Sequence, residues 1–105
     1  MKAWMGIATA AIIALGAGPA LAADSGLSLA QKNACMSCHG VDKKIVGPAY
    51  KDVAAKYKGD KGAEARLMEK VKRGGAGVWG QVPMPPNPQV NDADLKTIVN
   101  WILSL

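Results

Sequence analysis

Near the C-terminus Leu95, Ile98, Val99 and Ile102 recur at i, i+3, i+4 and i+7, which is one apolar stripe of an α-helix. Trp101 and Leu105 widen the stripe, Asn91 or Asp92 stands where an N-cap belongs, and Asp94 puts negative charge in the first turn. Residues 63–73 carry Leu67 and Val71 one turn apart, with Ala63 a turn earlier, and Gly74-Gly75 stops them. Residues 49–57 read as a third helix, opened by Pro48 at its first helical position and ended before Gly59. Residues 28–35 read as a short helix with Ser25 or Ser28 as its cap. No segment alternates with period two for long enough to make a strand. The fold class expected is all-α.

Residues 74–90 break this helical pattern. Gly74, Gly75, Gly77 and Gly80, then Pro83, Pro85, Pro86 and Pro88, forbid regular structure. A solvated linker would be polar, yet Val78, Trp79, Val82 and Met84 lie in this stretch. Prolines on both sides of Met84 hold the backbone near extended geometry and lower the entropy cost of keeping one side chain in one place.

The first residues form a different unit. Lys2 precedes an uncharged apolar run over residues 7–15, Gly16-Ala17-Gly18-Pro19 interrupts it, and Ala20-Leu21-Ala22 has the small-residue form of a cleavage site. A secretory signal peptide over residues 1–22 is expected, followed by one domain over residues 23–105. The alternative is an uncleaved membrane anchor, since residues 3–23 carry no charge and are long enough to span a bilayer. Without the leader the formal charge falls from +5 to +4, too little to argue for nucleic acid. One domain of this size has a thin core and ordinarily needs a staple. The chain contains no Phe, which suits a core built around a large apolar group.

Cys35-Met36-Ser37-Cys38-His39 supplies that group. A Cys-x-x-Cys-His pentad is a c-type haem attachment site. Two thiols three positions apart share one side of a helical turn, where they can add to the two vinyl groups of one porphyrin edge. The next residue, an imidazole, is then placed to ligate iron. A thioredoxin-like redox pair would need a βαβ setting, and a closed zinc site would need four ligands, whereas this chain has two Cys and one His in all. Attachment through Cys35 and Cys38 also requires export, where thiol and haem are joined outside the cytosol.

The second axial position has few candidates. His39 is the only histidine, which excludes a second imidazole from this chain. Met36 lies between the attachment cysteines, and Met68 sits beside Leu67 in a helix, the usual setting of a core-filling methionine. Met84 stands in the rigid loop far from His39 in sequence and is the expected sixth ligand, the His/Met pattern of electron-transfer cytochromes.

The pentad, together with Val46-Gly47-Pro48-Ala49-Tyr50, Val78-Trp79-Gly80 and Pro83-Met84-Pro85-Pro86-Asn87, resembles the small monohaem bacterial class I cytochromes c of the cytochrome c-551 type, over residues 29–105. The resemblance implies about four short helices wrapped around one covalently bound haem c, with a Pro/Gly-rich distal-ligand loop. It implies that the Pro48 carbonyl accepts a hydrogen bond from the proximal imidazole, that the Asn87 amide approaches the ligand sulfur, and that Trp79 donates its indole N–H to a haem propionate, with Lys70 near a propionate as well. It further implies a docking rim of Met36, Ile45, Val82, Pro83, Pro85 and Pro86, with Lys43 and Lys44 placed to steer an acidic partner. The sequence departs from the family at Ala30, where an aromatic is usual, so that the first helix either approaches Trp101 more closely or holds it more weakly.

The function that follows is that of a monomeric, periplasmic one-electron carrier, not an enzyme, because filled axial positions leave iron no place for substrate. The resemblance implies as its partners a quinol–cytochrome c reductase upstream and an oxidase, nitrite reductase or peroxidase downstream.

Overall fold

The structure is a computed structural model that describes residues 26–105 of the 105-residue chain. The expected signal peptide, its alternative as an anchor, and the Ser25 cap lie outside the described residues. Among the described residues no helix is long and apolar enough to cross a membrane. Helix α1 occupies residues 26–32, α2 Tyr50–Lys56, α3 Ala63–Arg73 and α4 Asp92–Leu103, with a 3₁₀ turn at Cys35–Ser37 between the first two. The described residues contain isolated β-bridges and no β-sheet.

Helix α4 is the spine. Asn91 caps it, its side-chain oxygen accepting from Asp94 N at 2.8 Å, and Asp92 and Asp94 complement the positive end of the helix. Leu95, Ile98, Val99 and Ile102 are all buried, and α2 and α3 both pack on this helix. Helix α2 adds Tyr50, Val53 and Ala54 to the interior. Helix α3 adds Ala63, with Leu67, Met68 and Val71 half-buried against the core. It ends where Gly74 adopts φ 71°, a backbone that favours glycine.

Three local expectations are corrected. Pro48 is not the first helical residue: Ala49 is the N-cap in extended backbone and the helix begins at Tyr50, because the Pro48 carbonyl is turned away to another partner described below. Helix α1 does not run into Cys35. Ala34 turns into the left-handed region (φ 64°) and the chain restarts as the 3₁₀ turn. Ser28 lies within the helix and does not cap it.

The small residues of α1 bring it close to α4. Ala30 is fully buried, and Gly26 lies against Trp101 so tightly that a Cβ at position 26 would overlap the tryptophan's Cβ and Cγ. Gly26 makes this approach. Gly26→Ala should therefore destabilise the haem-loaded protein by about 1–3 kcal/mol, as overpacking does, despite alanine's better helix propensity. Guanidinium unfolding followed by haem absorbance checks this, and an equal or raised midpoint would contradict the packing. A second expectation concerns the turn before α3. Asp60 accepts from Gly62 N at 2.9 Å and pairs with Arg66, and these contacts hold its carboxyl below the usual carboxylate range. A depressed folded-state pKa adds stability above the unfolded value, about 3.9, and that gain disappears as pH falls through the folded value. Asp60→Ala should lower the thermal midpoint at neutral pH, and the difference from wild type should close in acid.

Candidate haem site

The pentad and the loop after it are folded on each other through backbone hydrogen bonds. Cys38 N and His39 N both donate to Cys35 O, at 3.2 and 3.1 Å, which turns both cysteines toward one side. Val46 N and Gly47 N donate to Cys38 O at 3.0 and 2.7 Å, and Tyr50 N donates to Gly40 O at 2.9 Å. Residues 40–49 thus close beneath the pentad.

This closure brings the Pro48 carbonyl to 2.7 Å from His39 Nδ1. A carbonyl can only accept, so the proton sits on Nδ1 and Nε2 keeps its lone pair. His39 is 9 % exposed. Gly47 lies against the ring: a Cβ there would come within 2.5 Å of Cε1 and 3.0 Å of Nε2. Tyr50, 5 % exposed, stacks on the imidazole with ring centroids 4.8 Å apart and planes 15° from parallel.

The distal loop is pinned to the end of α3. Between positions 83 and 88 the four prolines have no N–H, so Met84 and Asn87 are the only backbone donors. Both point the same way: Met84 N donates to Gly75 O at 2.8 Å and Asn87 N to Val71 O at 2.9 Å. Gly75 N returns a bond to Met84 O at 2.9 Å. Gly74 passes beneath this segment, where a Cβ would collide with Met84 O and reach Pro86 N at 2.8 Å. Backbone alone therefore sets the position of Met84.

Between these two walls lies a cavity of ≈ 350 Å³, lined by Cys35, Cys38, His39, Trp79 and Met84 and floored by the apolar face of α4. That volume is within the range of ordinary ligand sites. Burial pushes the Cys35 thiol up, the Tyr50 hydroxyl donating to the sulfur partly offsetting it, and burial likewise pushes the Tyr50 hydroxyl up. Two thiols not joined to each other, an imidazole with a free lone pair and a thioether on one apolar cavity are the donor set a covalent haem requires. The group fits.

Pro48 and Lys70 also line the cavity, and a Cβ at Gly75 would stand 3.2 Å from the Lys70 ammonium. Trp79 is 42 % exposed, with Lys56 Nζ 5.7 Å above its ring. Asn87 lies outside the lining: its amide nitrogen donates to Pro85 O at 3.0 Å and its oxygen accepts from Gln89. In this structure Asn87 braces the loop backbone. Met36 and Met68 do not line the cavity, and Ile45, Val82, Pro83, Pro85 and Pro86 are exposed. Tyr50, Gly47 and Lys56 were not singled out from the sequence for these contacts. The only signal for the first two was their place beside Pro48, and nothing in the spacing marks Lys56.

A family model described as Cytochrome c matches residues 23–105. Cytochrome c-551 of Allochromatium vinosum is 58 % identical over 95 residues, covering 90 % of this chain and 99 % of that protein. Cytochrome c-552 of Nitrosomonas europaea is 49 % identical over 104 residues, covering 98 % and 96 %. The crystal structure of wild-type Nitrosomonas europaea cytochrome c552 superposes with a TM-score of 0.73 at 54 % identity, covering 75 % of this chain and 98 % of that one. Motif, all-α class I architecture and these likenesses agree that the chain belongs to the cytochrome c family, as an electron carrier with one haem c attached covalently through its Cys-x-x-Cys-His pentad.

Proposed function

We propose that this protein is a soluble periplasmic one-electron shuttle, and not an enzyme, in which His39 and Met84 occupy the two axial positions of the haem iron. The observation that carries the reading is that one cavity is bounded both by an imidazole protonated away from it and, on its other wall, by a methionine fixed by its backbone. Bound haem supplies a ferrous–ferric couple. His39 presents Nε2 because Pro48 holds its other nitrogen. Met84 presents a soft thioether, which favours the reduced form and raises the potential. The loop that carries it is closed at Gly75 and Val71, so the same sulfur serves both oxidation states with little rearrangement. Trp79 lines the cavity, where its N–H is available to a propionate, and Asn87 keeps the loop in shape through Pro85.

Exposed Ile45, Val82, Pro83, Pro85 and Pro86 form the docking rim, with Met36 half-buried beside Cys35 and exposed Lys43 and Lys44 as steering charges. Contacts of this class are small, below about 1,200 Å² in total, so a partner is released after each transfer. The upstream partner is a quinol–cytochrome c reductase, and the downstream partner an oxidase, nitrite reductase or peroxidase. Residues 1–22 direct export and are removed after Ala22, leaving residues 23–105 as a monomeric domain.

Two measurements test this reading. Met84→Ala should lose the weak far-red charge-transfer band of the oxidised protein, lower its potential strongly, and bind imidazole at least tenfold more tightly, about 1.4 kcal/mol. An unchanged band and potential would remove Met84 from the iron. N-terminal sequencing of protein recovered from the periplasm should begin at Ala23. Retention of Met1 in a membrane fraction would instead establish the anchor.

A further inference from the structure

The proximal imidazole has a third restraint that neither the pentad nor the Pro48 bond provides. Tyr50 covers its face at 4.8 Å and 15°. A single hydrogen bond at Nδ1 is a soft restraint on rotation of the ring, because it tolerates tens of degrees of N–H···O bend before it weakens steeply. A stacked aromatic resists it directly, since rotation drives the ring edge into the π-face. Tyr50 cannot yield. It is buried in the core and meets Trp101 edge-on, with centroids 5.6 Å apart and planes at 82°. Trp101 in turn is seated against Gly26. Gly47 also lies against Cε1, Nδ1 and Nε2, close enough that a Cβ there would overlap the ring. The chain of contacts runs from His39 through Tyr50 and Trp101 to α1.

We infer that Tyr50 is a positioning residue for His39: its ring fixes the rotation of the proximal imidazole about its bond to iron, and so the orientation of the iron orbital holding the unpaired electron in the oxidised protein. The inference rests on His39 being an axial ligand. The stacked ring carries it, not the hydroxyl. That hydroxyl faces the Cys35 sulfur, a thiol here that stands for the thioether of the haem-loaded protein and is then only a weak acceptor.

Proton NMR of the ferric, haem-loaded protein reads the orientation, because the four ring-methyl shifts of low-spin ferric haem follow the orientations of its two axial ligands, and Met84, tied by its own loop to α3, is common to all the variants. Tyr50→Phe should keep the wild-type order and spread of the four shifts. Tyr50→Leu, which fills the core without a π-face, should interchange their order or compress their spread while the protein stays low-spin. A Leu variant with the wild-type pattern, even if less stable, would reduce Tyr50 to packing and overturn the inference. A Phe variant with an altered pattern would overturn it in favour of the hydroxyl. Should the Leu variant fail to accumulate with haem, the diamagnetic ferrous wild type decides: cross-peaks between the Tyr50 and His39 ring protons are required, and their absence overturns the inference. A wild-type ferric spectrum that is high-spin would instead refute axial ligation by His39 and Met84, and is distinguishable from either outcome above.

Discussion

The hydrogen bond from His39 Nδ1 to the Pro48 carbonyl is the constraint on which the rest of the proximal side depends. An imidazole can offer Nε2 to a metal only if its proton stays on Nδ1, and a backbone carbonyl enforces this because it has no proton to give. Placing that carbonyl accounts for much of the local structure. Cys38 O accepts two bonds that draw residues 46 and 47 under the pentad, and Ala49 stays extended. The helix must therefore wait until Tyr50. Gly47 must be glycine because the ring occupies the space of its Cβ. Since the acceptor is main chain, no single side-chain replacement deletes it, and the arrangement fails only through substitutions that move the backbone.

The distal side solves a different problem with the same means. A methionine side chain is flexible and specifies little by itself. Here the specification lies in what surrounds it. Four prolines silence the competing donors, leaving two N–H groups to tie residues 84 and 87 to the end of α3. Gly74 supplies a backbone with φ 71° and no side chain, so that residues 84–86 can cross it. Between residues 83 and 88 every backbone N–H is thus paired, unlike in a solvated linker of similar composition.

What was legible in the sequence follows from which interactions are local. The bounds of α3 and the cap and stripe of α4 depend on neighbours within a few positions, and both were readable from periodicity and capping. The pentad, and the place of Met84 on the same cavity, were readable because haem chemistry admits few alternatives in a chain with one histidine. The rest depends on contacts between distant segments. Nothing near Tyr50 says that its ring will cover His39, since stacking requires the loop closure between them. The substitution at Ala30 suggested a changed contact with Trp101, and the residue whose missing side chain lets the indole in is Gly26, which nothing in the sequence marked. Asn87 shows the same limit: the resemblance implied the ligand sulfur as its partner, and nothing in the spacing announced the bond that its amide donates to Pro85 O.

The two sides meet on α4, and there the site and the fold cannot be separated. Leu95, Ile98, Val99 and Ile102 form the hydrophobic core and also face the haem cavity. A small domain without Phe buries too little of its own surface for that core to be independent of the group it faces. Haem held only by axial ligands could leave, and the stripe of α4 would then face water. Covalent attachment at Cys35 and Cys38 removes that route, because the ring cannot dissociate while the chain is intact. The same links spare the axial side chains from having to retain the haem. In the proposed ligation, His39 and Met84 are then free to be arranged for electronic effect, with their geometry set by backbone rather than by the strength with which they grip.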